Sequence, residues 1–319
     1  MQEIGGYIEL DRYSLPLLHE GAIALNCGRN ALAYLIRARH IKKILIPKFM
    51  CDSVQKICER EEVQFRYYSI GINFLPKQID LEDDEWLYIV NYYGQLSNDV
   101  LSGLVGRYKR VIVDNAQAYF QMPLPHVDTL YTCRKFFGVA DGAFLYSDVQ
   151  IDEKLTVDES YDRMRYLLGR FERTASEFYG EYAANNEMFE KEPIKKMSKL
   201  TDNLLRGIHY EIVKQRRTAN FNILHDAFST VNHLELCVPV GAFMYPLYIE
   251  NGFEIRKALQ AQKVYIPTLW PDVFNVCSES DLEWDMAKNI LPIPVDQRYN
   301  EKEMFYLIDS ICEFQNRML

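Results

Sequence analysis

Between residues 43 and 146 the chain repeats one pattern, a short apolar run followed by a stretch long enough for a helix, and this repetition limits the fold more than any other feature. The runs at 43–47, 63–68, 86–90, 110–113, 128–131 and 143–146 are rich in Val, Ile, Leu, Phe and Tyr and have strand length. Residues 28–40, 52–60 and 98–108 read as helices between them. Such alternation implies a mostly parallel sheet covered on both faces. Beyond Asp148 the pattern changes to charged, Tyr-rich helical sequence at 159–190, broken by Pro193, and a second helical stretch at about 200–228. From Leu234 onward, strands such as 243–249 alternate with helices at 252–262 and 301–316. The expected architecture is α/β: a large domain at 1–205 with a mostly parallel mixed sheet, and a smaller C-terminal α/β domain at 206–319.

In an open α/β sheet, ligands lie beyond the carboxyl ends of the strands, and two candidate residues fall there. Asp114 closes the run Val-Ile-Val-Asp, and Lys135 follows the next strand in Thr132-Cys133-Arg134-Lys135. Alone, such an aspartate is commonly a turn or cap residue and such a lysine a solvated cation. In this order, with Gln117 just after Asp114 and Asp141-Gly142 after Lys135, they suit pyridoxal phosphate (PLP): the carboxylate keeps the ring nitrogen protonated and the amine holds the aldehyde. Upstream, Asn26-Cys27-Gly28-Arg29-Asn30 reads either as an ordinary strand-to-helix turn or as a phosphate site. Glycine permits close backbone approach, and a helix N-terminus concentrates unpaired N–H donors on an anion.

These segments resemble those of the DegT/DnrJ-type PLP-dependent aminotransferases, a fold-type-I family that aminates keto sugars. Asp114-Asn115-Ala116-Gln117 resembles its Asp-x-Ala-Gln segment, Lys135 its cofactor lysine, and Ala140-Asp141-Gly142-Ala143 more loosely its Gly-Glu-Gly-Gly. Gly28-Arg29-Asn30-Ala31-Leu32 looks like the phosphate turn, Asn91-Tyr92-Tyr93-Gly94-Gln95 like the His-x-Tyr-Gly loop, and Leu291-Pro292-Ile293-Pro294 like a closing strand of the small domain. The resemblance implies catalysis by Lys135 and Asp114, with Gly28, Arg29, Asn30, Cys51, Gln117 and Thr132 completing the cofactor site. It also implies an amino acid donor such as glutamate, a nucleotide-linked keto sugar as acceptor, and a homodimer with sites shared between subunits.

The chain departs from the family at several points. Cys51 stands where an aromatic stacks on the cofactor ring, which leaves stacking to Tyr92 or Tyr93. Leu130 replaces a phosphate-binding serine, with Thr132 as substitute, and the inter-subunit Gly-Tyr-Asn segment is missing, with Ser198 or Asn220 as candidates for its work. The chain is also shorter than typical relatives. A PLP protein of the same fold with lyase or dehydratase activity, or with no turnover, is the alternative, since fold does not fix reaction. Dehydration suits a chain without the lysine, so Lys135 argues against it.

The net charge of −9, with basic residues interspersed among acids, argues against a general nucleic-acid binder. Arg206, Arg216 and Arg217 could meet a diphosphate, or simply solvate a helix. Seven cysteines without a Cys-x-x-Cys indicate reduced thiols and a cytoplasmic protein. No run of about 18 apolar residues is present, and residues 1–7 lack the basic and apolar segments of an export signal. The six histidines have no metal-ligand spacing. No Gly-x-Gly-x-x-Gly follows a strand, which counts against a dinucleotide-binding oxidoreductase.

Overall fold

The computed structural model describes residues 4–318, with the first three residues, which open the segment read for an export signal, outside that range. In chain order the first part comprises β1 (Ile23–Leu25), α1 (Gly28–Ala38), β2 (Lys43–Pro47), α2 (Ser53–Arg60), β3 (Gln64–Tyr68), β4 (Glu85–Val90), α3 (Asn98–Tyr108), β5 (Val111–Asp114), β6 (Asp128–Thr132) and β7 (Ala143–Tyr146). Seven strands form one sheet in the order β1-β7-β6-β5-β4-β2-β3. Strands β2 to β6 run parallel, and β7 is antiparallel to both β6 and β1. The central runs Ile44-Leu45-Ile46 and Val111-Ile112-Val113 are buried throughout, as strands covered on both faces must be. The outermost strand β3 alternates exposed and covered positions instead, as an edge strand does.

Register places the strand ends. Ala143 pairs with both Leu25 and Thr132, so the carboxyl ends of β1 and β6 lie at the same edge of the sheet. Asp114 pairs with Val90 and Leu130, which brings the ends of β4 and β5 to that edge as well. At the far edge Arg39, the cap residue of α1, holds buried Asp128 through two bonds of 2.9 Å and so fixes α1 against the start of β6.

The second part adds α4 (Arg165–Glu172), α5 (Tyr179–Met188), α6 (Lys199–Leu205), α7 (Tyr210–Phe228), β8 (Met244–Tyr248), α8 (Gly252–Ala261), α9 (Val273–Val276), α10 (Leu282–Asn289), β9 (Ile290–Pro294) and α11 (Glu301–Met318). Antiparallel β8 and β9 share a core with α7, α8 and α11, built on Phe221, Leu224, Tyr245, Leu247, Ile255, Leu291, Ile293 and Met304. The larger core extends to Phe243, Tyr248, Trp270 and Met286, so residues from both parts are packed together.

Two expected helices are each broken. The 159–190 stretch divides at 173–178 into α4 and α5, with the Phe178 ring folded back onto Gly169 of α4, where an added Cβ would lie 2.3 Å from it. The 200–228 stretch divides at 206–209, next to Gly207, and α6 begins at Ser198, whose hydroxyl accepts the Thr201 N–H at 3.1 Å. Strand β1, only three residues long, carries too little sequence pattern to be anticipated. Among the described residues no helix is long and apolar enough to cross a membrane.

Fully buried His19 ties the ends of this framework together, with Nε2 2.9 Å from the Tyr119 carbonyl and its ring tilted against Tyr131 at 4.2 Å. Burial lowers its pKa from 6.5 to about 4. The unfolded chain therefore binds a proton in this window that the folded chain refuses. The contribution of neutral His19 is complete above pH 6.5 and declines as pH falls toward 4. Urea midpoints measured across that window should fall with acid, and His19→Gln should be less stable at pH 7 but show a flatter decline.

Candidate active site

The carboxyl edge of the sheet gathers the residues that the sequence motifs single out. Asp114 ends β5 with both carboxylate oxygens engaged: the Ala116 N–H donates to Oδ1 at 2.8 Å and the Tyr88 hydroxyl donates to Oδ2 at 2.8 Å. Burial raises its pKa above the usual aspartate value, and the nearby charge of Lys135 is the largest influence holding it down. Amine and carboxylate are thus within electrostatic reach of each other.

Lys135 lies in a tight loop after β6, where the Cys133 carbonyl accepts the N–H groups of Phe136 and Phe137 at 2.9 Å. Its Nζ lies 5.6 Å from the centre of the Phe243 ring, just before β8. The loop is anchored from behind. Arg217 of α7 and Gln297 both donate to the Phe136 carbonyl, at 3.2 and 2.8 Å, and Arg217 also bonds the Ala242 carbonyl at 2.9 Å. Arg217 therefore faces inward, contrary to a solvating or diphosphate-meeting role, and burial lowers its pKa to about 10. No periodicity signals this, since the α7 sequence is polar around much of its circumference. On the loop's other side, Gly142 adopts φ +110° and donates to the Asn26 carbonyl at 2.6 Å. A Cβ there would meet Thr201 Cγ2 at 3.0 Å, so glycine is required. Asp141 is buried and caps α6 by accepting the Ser198 N–H at 2.8 Å.

At the opening of α1, an added Cβ on Gly28 would lie 3.8 Å from Thr132 Cβ, which puts the turn and the end of β6 side by side. No acidic residue occupies the first turn of α1, so its positive end is not neutralised locally. Arg29 donates to the Asn186 carbonyl at 3.0 Å. Asn30 is fully buried, its amide donating to Asn26 and to the carbonyls of Glu192 and Pro193 while its oxygen accepts from Arg60. Its side chain is thus committed to the protein and its N–H to Cys27 Sγ at 3.4 Å, which leaves the half-buried backbone of Gly28 and Arg29 as the better partner for an anion.

Gln117 is also buried, and its oxygen accepts the Tyr93 N–H at 2.7 Å. That bond stabilises Tyr93 at φ 54°, a left-handed conformation that a non-glycine residue rarely adopts. Asn91 and Asn115, part of the motif segments but given no role there, lock the same region: Asn91 donates to Asn115 at 3.1 Å, and Asn115 donates to the Tyr131 hydroxyl at 3.1 Å. Tyr92 and Tyr93 do not provide a stacking face. They are 0% and 1% exposed, with rings packed among Phe49, Phe74 and Trp270. Half-buried Cys51 lies in the loop after β2 with Sγ 2.9 Å from Ser53 Oγ, close enough to act electrostatically on the Tyr88 hydroxyl. Ser198 and Asn220 are buried within their own chain, the latter bonded to the carbonyls of Val295 and Tyr299. Neither is placed to reach a neighbouring subunit.

Neither a family model nor a curated protein matches the sequence. Solved structures do match the fold. A DegT/DnrJ/EryC1/StrS aminotransferase from Brucella abortus superposes with a TM-score of 0.62 at 14% identity, covering 92% of this chain and 85% of its own. DesV from S. venezuelae gives 0.63 at 16%, covering 92% and 84%. The PLP-form of the sugar aminotransferase Spr1654 from Streptococcus pneumoniae gives 0.63 at 13%, covering 93% and 88%. Over nearly its whole length, the chain has the fold of the DegT/DnrJ/EryC1/StrS sugar aminotransferases, the fold its own motifs resemble.

Proposed function

We propose that this chain is a PLP-dependent aminotransferase that moves an amino group from an amino acid donor, such as glutamate, to a nucleotide-linked keto sugar. The observation that carries the reading is the placement of Asp114 at the end of β5 and of Lys135 just after β6, at the sheet edge where α1 opens and within electrostatic reach of each other. Neighbours of this shape include sugar aminotransferases, one of them solved in a PLP-form. The reading includes a homodimer with shared sites in the cytoplasm, in keeping with seven free cysteines.

The residues fit the cofactor. A pyridinium nitrogen calls for a carboxylate kept ionised, and Asp114 has a donor on each oxygen while its burial raises the cost of lacking a cation. A phosphate suits the first turn of α1, with Gly28 open to close approach and the Thr132 side chain alongside. Cys51 would border the ring with a small polarisable group, Arg29 would add positive charge, and Gln117 would fix the nearby backbone through Tyr93. When bound, PLP supplies an electron sink for the carbanion that forms at the donor's α-carbon. Lys135 Nζ would hold the cofactor covalently. Freed by the donor amine, Lys135 Nζ would take the proton from the donor's α-carbon as general base and deliver it to the cofactor's C4′ as general acid. Asp114 would accept the hydrogen bond of the protonated ring nitrogen and so keep that proton in place.

One observation favours the alternative of a PLP protein of this fold with lyase or dehydratase activity or no turnover: Cys51 is not aromatic and Tyr92 and Tyr93 are buried, so stacking is weaker at these positions.

Purified protein mixed with PLP should gain visible absorbance, and borohydride should fix one cofactor per chain to Lys135 by peptide mass. Glutamate should then bleach that absorbance with formation of 2-oxoglutarate. Fixation elsewhere overturns the site, and fixation without bleaching by any amino donor overturns transamination. Lys135→Ala should abolish fixation and lower turnover by at least about 100-fold. Asp114→Asn separates stability from function. The raised pKa means that the ionised carboxyl costs the empty protein stability as pH rises from the usual aspartate value through the folded one. The variant should therefore melt higher than wild type without cofactor at pH 7, lose that advantage toward pH 4, and bind PLP more weakly.

A further inference from the structure

Strand β4 brings a phenol to the candidate site that none of the motifs contains. Tyr88 pairs with Ile112 and Val90 with Asp114, so Tyr88 and Asp114 are diagonal neighbours on one face of the sheet. The long tyrosine side chain spans that diagonal, and its hydroxyl lies 2.8 Å from Asp114 Oδ2. Tyr88 is 2% exposed, and its backbone carbonyl accepts the Tyr68 hydroxyl at 2.9 Å. From this geometry we infer that Tyr88 is a positioning residue: it holds the Asp114 carboxylate ionised and aimed, and thereby sets how strongly the site grips a cationic ring nitrogen.

The surroundings make the direction of the effect definite. Burial and the adjacent carboxylate hold the phenol far above its usual pKa, so Tyr88 donates and never competes as an anion. Burial drives the Asp114 carboxyl toward its neutral form, opposed by Lys135, the Ala116 N–H and Tyr88. The other titratable groups acting on this pair are Cys51 from the loop after β2, Cys58 of α2 and Tyr92 after β4, and burial pushes Cys58 and Tyr92 toward their neutral forms. Tyr88 is thus the one side-chain hydroxyl among the described residues that donates to this carboxylate. Replacing it with phenylalanine removes a single oxygen and leaves the ring.

The inference rests on the PLP reading for its ligand, and two measurements keep the two apart. In cofactor-free protein carrying ¹³C-labelled aspartate carboxyls, the Asp114 resonance, assigned by its disappearance in Asp114→Asn, should titrate at a higher pH in Tyr88→Phe than in wild type. In the same variant PLP should bind about tenfold more weakly or worse, the loss expected for one hydrogen bond to a charged group, with the acid limb of its affinity moved to higher pH. An unchanged titration, or a moved titration with unchanged PLP affinity, overturns the inference. So does a loss of affinity equal at every pH, which marks a merely structural role. Should Tyr88→Phe fail to fold, Tyr88→Leu is judged by the same titration. If wild-type protein takes up no PLP, it is the cofactor reading that fails, and the titration alone decides whether Tyr88 governs Asp114.

Discussion

A carboxylate largely withdrawn from water must be met by donors or by a cation, and that requirement at half-buried Asp114 organises the carboxyl edge of the sheet. Two donors come from the protein, one from the turn that Asp114 itself begins and one from β4. The remaining deficit is met from a distance by Lys135, on the loop after the neighbouring strand. Each supplier is held by a further layer: the turn by Asn115 and Asn91, the lysine loop by Gly142 on one side and Arg217 with Gln297 on the other. The polar interior is built outward from one charge.

The parallel core was legible because buried strands in such a sheet cannot alternate in polarity, and the Ile, Val and Leu runs of β2, β4 and β5 announce themselves. Strand β1 was not, because three residues carry no period. The broken helices show a different limit. Helical sequence continues past Glu172 and Leu205, but α4 ends with the Phe178 ring folded back onto Gly169, and the chain turns at 206–209 where the Tyr13 ring packs onto Gly207.

Within the candidate site, Asp114 and Lys135 stood out in the sequence because the proposed chemistry needs an acid and an amine at adjacent strand ends, and the sheet register brings both to one edge. What surrounds them was not. Asn30 looks like a phosphate ligand by position, yet a buried amide must satisfy every polar atom, and its partners at Glu192 and Pro193 lie far away in sequence. Tyr92 and Tyr93 look like stacking residues by type, but their rings fill the core around Trp270. Arg217 was misplaced for the opposite reason. A guanidinium has five donors, and when backbone carbonyls converge it can be buried without a carboxylate, a condition visible only in three dimensions.

That arginine links the helix opening the C-terminal part to the carbonyl that follows the candidate catalytic lysine. The two halves are therefore not interchangeable modules. A chimera joined between α6 and α7 to the C-terminal half of another protein of this fold would inherit a lysine loop whose anchor had been left behind, unless the graft brought its own equivalent of Arg217 and Gln297.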